Sequence, residues 1–156
     1  MTLVSTDCTP SPGLDKRAYQ EWSEQLAIGV PWIDGQHKHF FELAASLGQE
    51  QDEDGVMSAL HRLSDYVNEH FRDEEGLMAL YEYPGIDAHR KLHQQFRHKV
   101  ADLLETAQEL TLNEIAEAVK RLINGWLSLH IMTVDQELGN HIKKAETCET
   151  IDELAR

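Results

Sequence analysis

Cysteine is nearly absent from this sequence. The two that occur, Cys8 and Cys148, stand near opposite ends of the 156-residue chain. They show no metal-ligand spacing and no disulfide framework, so two reduced surface thiols are expected. Basic residues are also scarce. Against 28 Asp and Glu there are 14 Lys and Arg, for a net charge of −14. Nucleic acid and anionic membrane surfaces both demand a basic patch, so neither is expected as a partner. The main consequence of the acidity is solubility. No long apolar run is present, and MTLVSTDCTPSPGLDK lacks a basic start followed by an apolar stretch. Membrane insertion and secretion are therefore not expected, and the cytoplasm is the default compartment. GxGxxG, P-loop and HExxH signatures are missing too, which leaves nucleotide hydrolysis and zinc-protease chemistry without support.

What is present is helical periodicity, with little that reads as strand. The length fits one domain. Residues 1–20 are rich in Thr, Ser and Pro and read as an extended arm leading to Trp22. Residues 21–143 read as the domain proper, and 144–156 as a tail or a short fifth helix in TCETIDELAR, capped by Thr147 or Thr150. The first helix is expected from about Asp34 to Leu47, with His37, Phe40, Ala44 and Leu47 on one stripe. The second runs from about Asp54 to Tyr81. Its stripe is Leu60, Leu63, Val67, His70, Glu74, Leu77 and Tyr81, in heptad-like steps. Pro84 and Gly85 break it. Asp87 is a candidate cap for the third helix, whose stripe is His89, His93, Phe96, Val100 and Leu103. Thr111 and Glu114 have the spacing of a capping box. They open the fourth helix, with Ile115, Val119, Leu122, Trp126 and His130 facing inward. Short links between long amphipathic helices imply antiparallel neighbours. The fold expected is all-α, an up-down-up-down four-helix bundle.

The inward stripes carry residues that do not belong in an apolar core. His37, His70, Glu74, His89, His93 and His130 all face inward, and the topology gathers them in one half of the bundle. A buried His or Glu without a partner costs several kcal/mol or loses its charge. A single such residue is most often a satisfied core histidine; six together favour a metal site inside the bundle. His70 and Glu74 are four apart and share a face, as do His89 and His93. His130 and Asp135 are five apart. Five steps of a regular helix turn about 500°, roughly 140° out of alignment. That pair needs either a local wide turn or two donors approaching from different sides.

The segments WIDGQHK, HFRDEE, HRKLH and WLSLHI with Val134 and Asp135 together resemble the hemerythrin family. The likeness spans about residues 22–140 and includes Trp126 and the YEYP turn before the third helix. It implies seven metal ligands: His37, His70, Glu74, His89, His93, His130 and Asp135. It implies two iron ions with a bridging oxo or hydroxo group, and O2 as the ligand bound. Two six-coordinate ions offer about twelve positions. Five imidazoles, two bridging carboxylates and the bridging group leave one vacant. By resemblance, His89, His93 and His130 hold the filled iron, and the vacancy lies at the iron held by His37 and His70. Imidazole and carboxylate donors suit iron or manganese better than soft copper(I). Carboxylate-rich di-iron enzymes carry about four acidic ligands and Glu-x-x-His motifs. The two acidic ligands here favour reversible O2 binding, as carrier, store or buffer, over catalysis. The alternatives are a di-iron oxidase, peroxidase or nitric-oxide-handling enzyme, or an O2 or redox sensor module. Phe40, Trp126, Leu127 and Ile131 are expected to line the O2 pocket, a role compatible with ordinary core packing. His39, His61, His98 and His141 fall off the site and are expected at the surface. The acidic run around Glu74 is expected to be a solvated face.

Overall fold

A computed structural model describes residues 21–50 and 52–154, with side chains described as far as Cys148. The arm expected over 1–20, with Cys8, lies outside these residues. Cys148 is a free, exposed thiol. Among the described residues there is no strand, and no helix is long and apolar enough to cross a membrane.

A 3-10 turn, Glu24–Leu26, leads into α1, Pro31–Leu47. Proline suits the first turn because its missing N–H would have no helical partner there. The Asp34 carboxylate reaches back to accept from the backbone N–H groups of Ile28 (2.7 Å) and Gly29 (3.0 Å), pinning the entry loop. α2, Glu53–Leu80, begins at Asp52, whose side chain accepts from the Gly55 N–H at 2.8 Å. It ends in a Schellman arrangement: Tyr83 N–H bonds Met78 C=O at 2.8 Å, and Glu82 N–H bonds Ala79 C=O at 3.3 Å. Glu82 occupies the left-handed position, φ 48°, where glycine is usual.

α3 spans Ile86–Thr106. Asp87 is not its cap. The first helical bond runs from His89 N–H to Gly85 C=O (3.0 Å), so Gly85 holds the cap position and Asp87 lies in the first turn. There its charge complements the helix dipole instead. A 3-10 turn, Ala107–Glu109, precedes the Thr111–Glu114 capping box, which forms as the spacing predicts.

The fourth rod is continuous but not uniform. It consists of α4 (Leu112–Lys120), a π segment (Arg121–Leu127), one α turn that we label α5 (Ser128–His130), a second π segment (Ile131–Asp135) and α6 (Gln136–Leu154). The short separate helix expected in 144–156 is therefore an unbroken extension of this rod. Nothing local stops it, because 140–154 contains no Pro or Gly. The first π segment also corrects the fourth stripe. Beyond Val119 and as far as Ile131 the buried apolar positions are Ile123, Leu127 and Ile131, and His130 is buried as expected, whereas Leu122 and Trp126 are half-buried. Each wide turn takes up extra residues and moves the inward face along the sequence. On α2, Met78 replaces Leu77 as the last fully buried position.

α1 packs on α2, α2 on α3, and α1 also on the start of the fourth rod, giving the expected four-helix bundle. Most of the core is one cluster running from Leu26 to Ile131. A smaller one, Met78, Tyr83, Leu138 and Ile142, closes the end near the α2–α3 turn. Gly139 lets the entry loop lie directly on α6: a Cβ there would meet the Ile28 carbonyl oxygen.

Candidate metal centre

All seven predicted residues are buried. His37, His70, Glu74, His93 and Asp135 are 0% exposed, His89 2% and His130 4%. Each arrives by a simple local route. On α2, His70 and Glu74 are one turn apart; on α3, His89 and His93 stand with ring centroids 4.5 Å apart. The second π segment resolves the five-residue spacing on the fourth rod: the wide turn brings Asp135 Oδ1 to 3.0 Å from His130 Nε2. A regular helix would have aimed the carboxylate elsewhere.

The donor atoms form two groups. Glu74, His89, His93, His130 and Asp135 make one; His37, His70 and Glu74 make the other, with the donor atoms of each group within 4.8 Å of one another. Glu74 is common to both. Asp135 faces both ways: Oδ2 lies 3.3 Å from His37 Nε2, and Oδ1 lies 3.0 Å from both His89 Nε2 and His130 Nε2. Glu74 Oε2 is 3.1 Å from His93 Nε2, 3.7 Å from His89 Nε2 and 3.8 Å from His70 Nε2.

The residues fit a metal by their own chemistry. Both oxygens of Glu74 and of Asp135, both ring nitrogens of His37, and the inward Nε2 of His70 and His93 have no hydrogen-bond partner. Each unpartnered buried group costs about 1–3 kcal/mol, more when charged. Cations among them would remove that cost. Burial, with Asp135 close by, pushes the Glu74 carboxyl up to about 8. Burial acts on Asp135 in the same sense, but the nitrogens of His130, His37 and His89 around it outweigh burial and hold it well below the carboxylate range. Burial, reinforced by His37, drives the His70 imidazole well down. Burial and His89 lower His93 to about 3, so its ring is neutral and offers a lone pair.

The family model for the hemerythrin HHE cation-binding domain matches residues 28–142, the span containing all of these donors. The chain belongs to the hemerythrin family. A bacteriohemerythrin of Stenotrophomonas maltophilia (strain R551-3) is 30% identical over 125 residues, covering 78% of this chain and 80% of the relative. A myohemerythrin of Theromyzon tessulatum is 27% identical over 115 residues, covering 74% and 87%. A crystal structure of a hemerythrin mutant matches with a TM-score of 0.69 at 25% identity, covering 79% of this chain and 96% of that one.

This hemerythrin-family chain also orients its donors with residues that the motif spacing did not single out. Gln36 Nε2 donates to Asp73 Oδ2 at 2.8 Å. A carboxylate can only accept, so the amide oxygen faces the other way and accepts from His70 Nδ1–H at 2.9 Å. That fixes the tautomer and aims the Nε2 lone pair inward. Glu75 Oε1 does the same for His93 Nδ1 at 3.0 Å, and Arg97 holds Glu75 at 3.1 Å. Burial raises the Glu75 pKa, but the bond from His93 and the charge of Arg97 prevail and hold it low. The acidic run is thus not simply a solvated face. Successive helical residues fan out by about 100°, so Asp73 leans to α1, Glu74 inward and Glu75 to α3. That fan was the available signal.

Phe71 was missed as well. Its ring stacks on His93 at 3.8 Å and 8°. Of the residues predicted to line a pocket, Phe40, Leu127 and Ile131 are fully buried, and Phe40 meets His70 edge-on at 5.1 Å. Trp126 is half-buried and stacks on His130 at 4.6 Å. His39, His61 and His98 are exposed, as expected. His141 is not: it is half-buried, and its Nε2 bonds the Tyr81 carbonyl at 2.8 Å, because α6 runs on past the α2–α3 turn.

Proposed function

We propose that the chain binds dioxygen reversibly at a non-heme di-iron centre, as a carrier, store or buffer and not as an enzyme. The observation that carries this reading is the division of the donors, with Glu74 in both groups and the two Asp135 oxygens facing opposite ones. Such a set suits two ions with separate imidazoles and shared carboxylates. His89, His93 and His130 would hold one ion, and His37 and His70 the other. His37 and His70 alone would leave that ion room for a small ligand. When bound, the two irons supply the electrons and the vacant coordination position that reversible O2 binding needs.

The chain supplies orientation and dryness. Gln36 and Glu75 hold His70 and His93 in the tautomer that presents Nε2 inward. Phe40, Leu127 and Ile131, all 0% exposed, exclude water from the donors, and Trp126 shields His130. Five imidazoles and two carboxylates make a less anionic shell than the roughly four acidic ligands of carboxylate-rich di-iron enzymes. High-valent iron is then harder to reach, which supports binding over oxidation. Membership of the hemerythrin HHE cation-binding family supports the metal-binding part of this reading.

The test is to load the chain with ferrous iron without air, admit O2 and then remove it. A charge-transfer absorption that appears and bleaches reversibly is expected, with two irons per chain by metal analysis. Irreversible decay with turnover under added reductant would replace the carrier by an oxidase, and a single zinc would overturn the di-iron reading. His130→Ala and Glu74→Ala should each lose at least one iron, whereas His61→Ala should keep both.

A further inference from the structure

Between α3 and the first π segment lies a cleft that contains none of the seven residues of the metal centre. Lys99 and Leu103 line it from α3, and Ala118, Arg121, Leu122 and Trp126 from the fourth rod, around about 330 Å³. Leu103 is buried, and Ala118, Leu122 and Trp126 are half-buried, so the base is apolar. Lys99 and Arg121 are exposed, so their charges stand at the mouth. Neither forms an ion pair among the described residues.

Two features argue that this is more than a seam. Acidic residues outnumber basic ones twofold in this chain, 28 to 14, yet two cations face one apolar cleft without acidic partners. Moreover, Arg121, Leu122 and Trp126 all belong to the first π segment. π segments concentrate at functional sites. The spacing of His130 and Asp135 is accommodated by the second π segment alone, so the first is not needed to align those two residues.

We propose that this cleft binds a small planar aromatic carboxylate. The guanidinium fork of Arg121 matches a carboxylate in two-point fashion, and the Lys99 ammonium adds a second charge. Leu103 and Leu122 provide the apolar bed for the ring, with the part of the Trp126 indole that its stacking on Phe96 and His130 leaves open to the cleft. The volume lies at the small end of ligand pockets, enough for one or two fused rings and too small for a nucleotide or a helix. The net charge of −14 does not forbid an anion. At physiological ionic strength charges beyond about 8 Å are largely screened, so the two near cations dominate. The inference is independent of the metal assignment.

The experiment is calorimetric titration of the full chain with 2-naphthoate. One saturable site with Kd below about 1 mM is expected. Reversing both charges, Lys99→Glu with Arg121→Glu, should weaken it at least about tenfold, and neutral 2-naphthamide should bind the wild type weaker by a similar factor. A control pair at exposed positions elsewhere, Lys91→Glu with Lys144→Glu, changes the net charge equally and should alter Kd less than about twofold. Both substituted cleft residues are exposed, and unchanged circular dichroism verifies the fold. No saturation, equal affinity in the cleft double variant, or equal weakening in the control pair would each overturn the proposal.

Discussion

α3 and the fourth rod each contribute two donors, by different backbones. α3 is a regular helix and places His89 and His93 four residues apart on one face. The fourth rod spaces His130 and Asp135 by five and needs a π segment to realign them. Four residues of regular helix turn about 400°, close to alignment, so α3 meets its requirement without distortion. The fourth rod holds an extra residue in a wide turn. Hydroxyls help satisfy the widened backbone: Ser128 Oγ donates to Ile123 C=O at 3.0 Å, and Thr133 Oγ1 to Leu129 C=O at 2.7 Å. One rod is intolerant of a change in register, whereas the other already contains one.

The sharpest way to break this comparison is a one-residue deletion in each rod. Removing exposed Lys91 rotates Phe96, Val100 and Leu103 by about 100° relative to His89. We expect loss of cooperative unfolding and of bound metal. Removing exposed Thr133 returns His130 and Asp135 to a four-residue spacing on regular helix, which points the same way. That variant should fold and keep its metal, with Tm lowered by less than about 10 °C, a few kcal/mol for a chain of this size. Calorimetry and metal analysis read both. If deletion of Thr133 is as damaging as that of Lys91, the π segment is more than an absorbed insertion.

A smaller effect separates how the two rods orient a histidine. His93 on α3 is gripped by Glu75, whereas His130 is backed by the Trp126 ring. Glu75→Gln should weaken metal affinity by about 10–100-fold, measured by chelator competition, and Trp126→Leu by less. The sign with pH follows from the lowered Glu75 pKa. The carboxylate contributes stability above its ordinary 4.5, and that contribution is lost as pH falls towards the folded value. Metal-free wild type should therefore exceed Glu75→Gln in stability at pH 7 and lose this advantage progressively as pH falls below 4.5. Equal urea midpoints at pH 7 would remove Glu75 from the orienting role. The smallest effect lies in the turn between α2 and α3. Glu82→Gly relieves a left-handed residue and should add about 0.5–1 kcal/mol, read as a higher urea midpoint.

The four helices and the six inward His and Glu residues could be read from the chain because helical periodicity is a property of one helix. Asp135 is legible as a problem, since a spacing of five does not fit a regular helix, but the sequence is compatible with two backbone geometries. The orienting residues were not legible in the same way. Gln36 acts on His70 from α1, and Glu75 acts on His93 from α2, so each role exists only once two helices pack. The inward face of the fourth rod drifted from Leu122 and Trp126 to Ile123 and Leu127 because a fixed helical period cannot register a wide turn. Asp87 failed as a cap for a local reason: the backbone enters α3 earlier, at Gly85.

The approach of Asp135 to His37 joins the last rod of the bundle to the first. Contacts so far apart in the chain pay off only after the whole intervening loop has closed. The residues on α2 and α3 are closer in sequence and can meet over a shorter loop, before the Asp135 contact is made. The two-sided carboxylate is thus a latch between the two ends of the chain, and it closes the bundle on itself where the first and last rods meet.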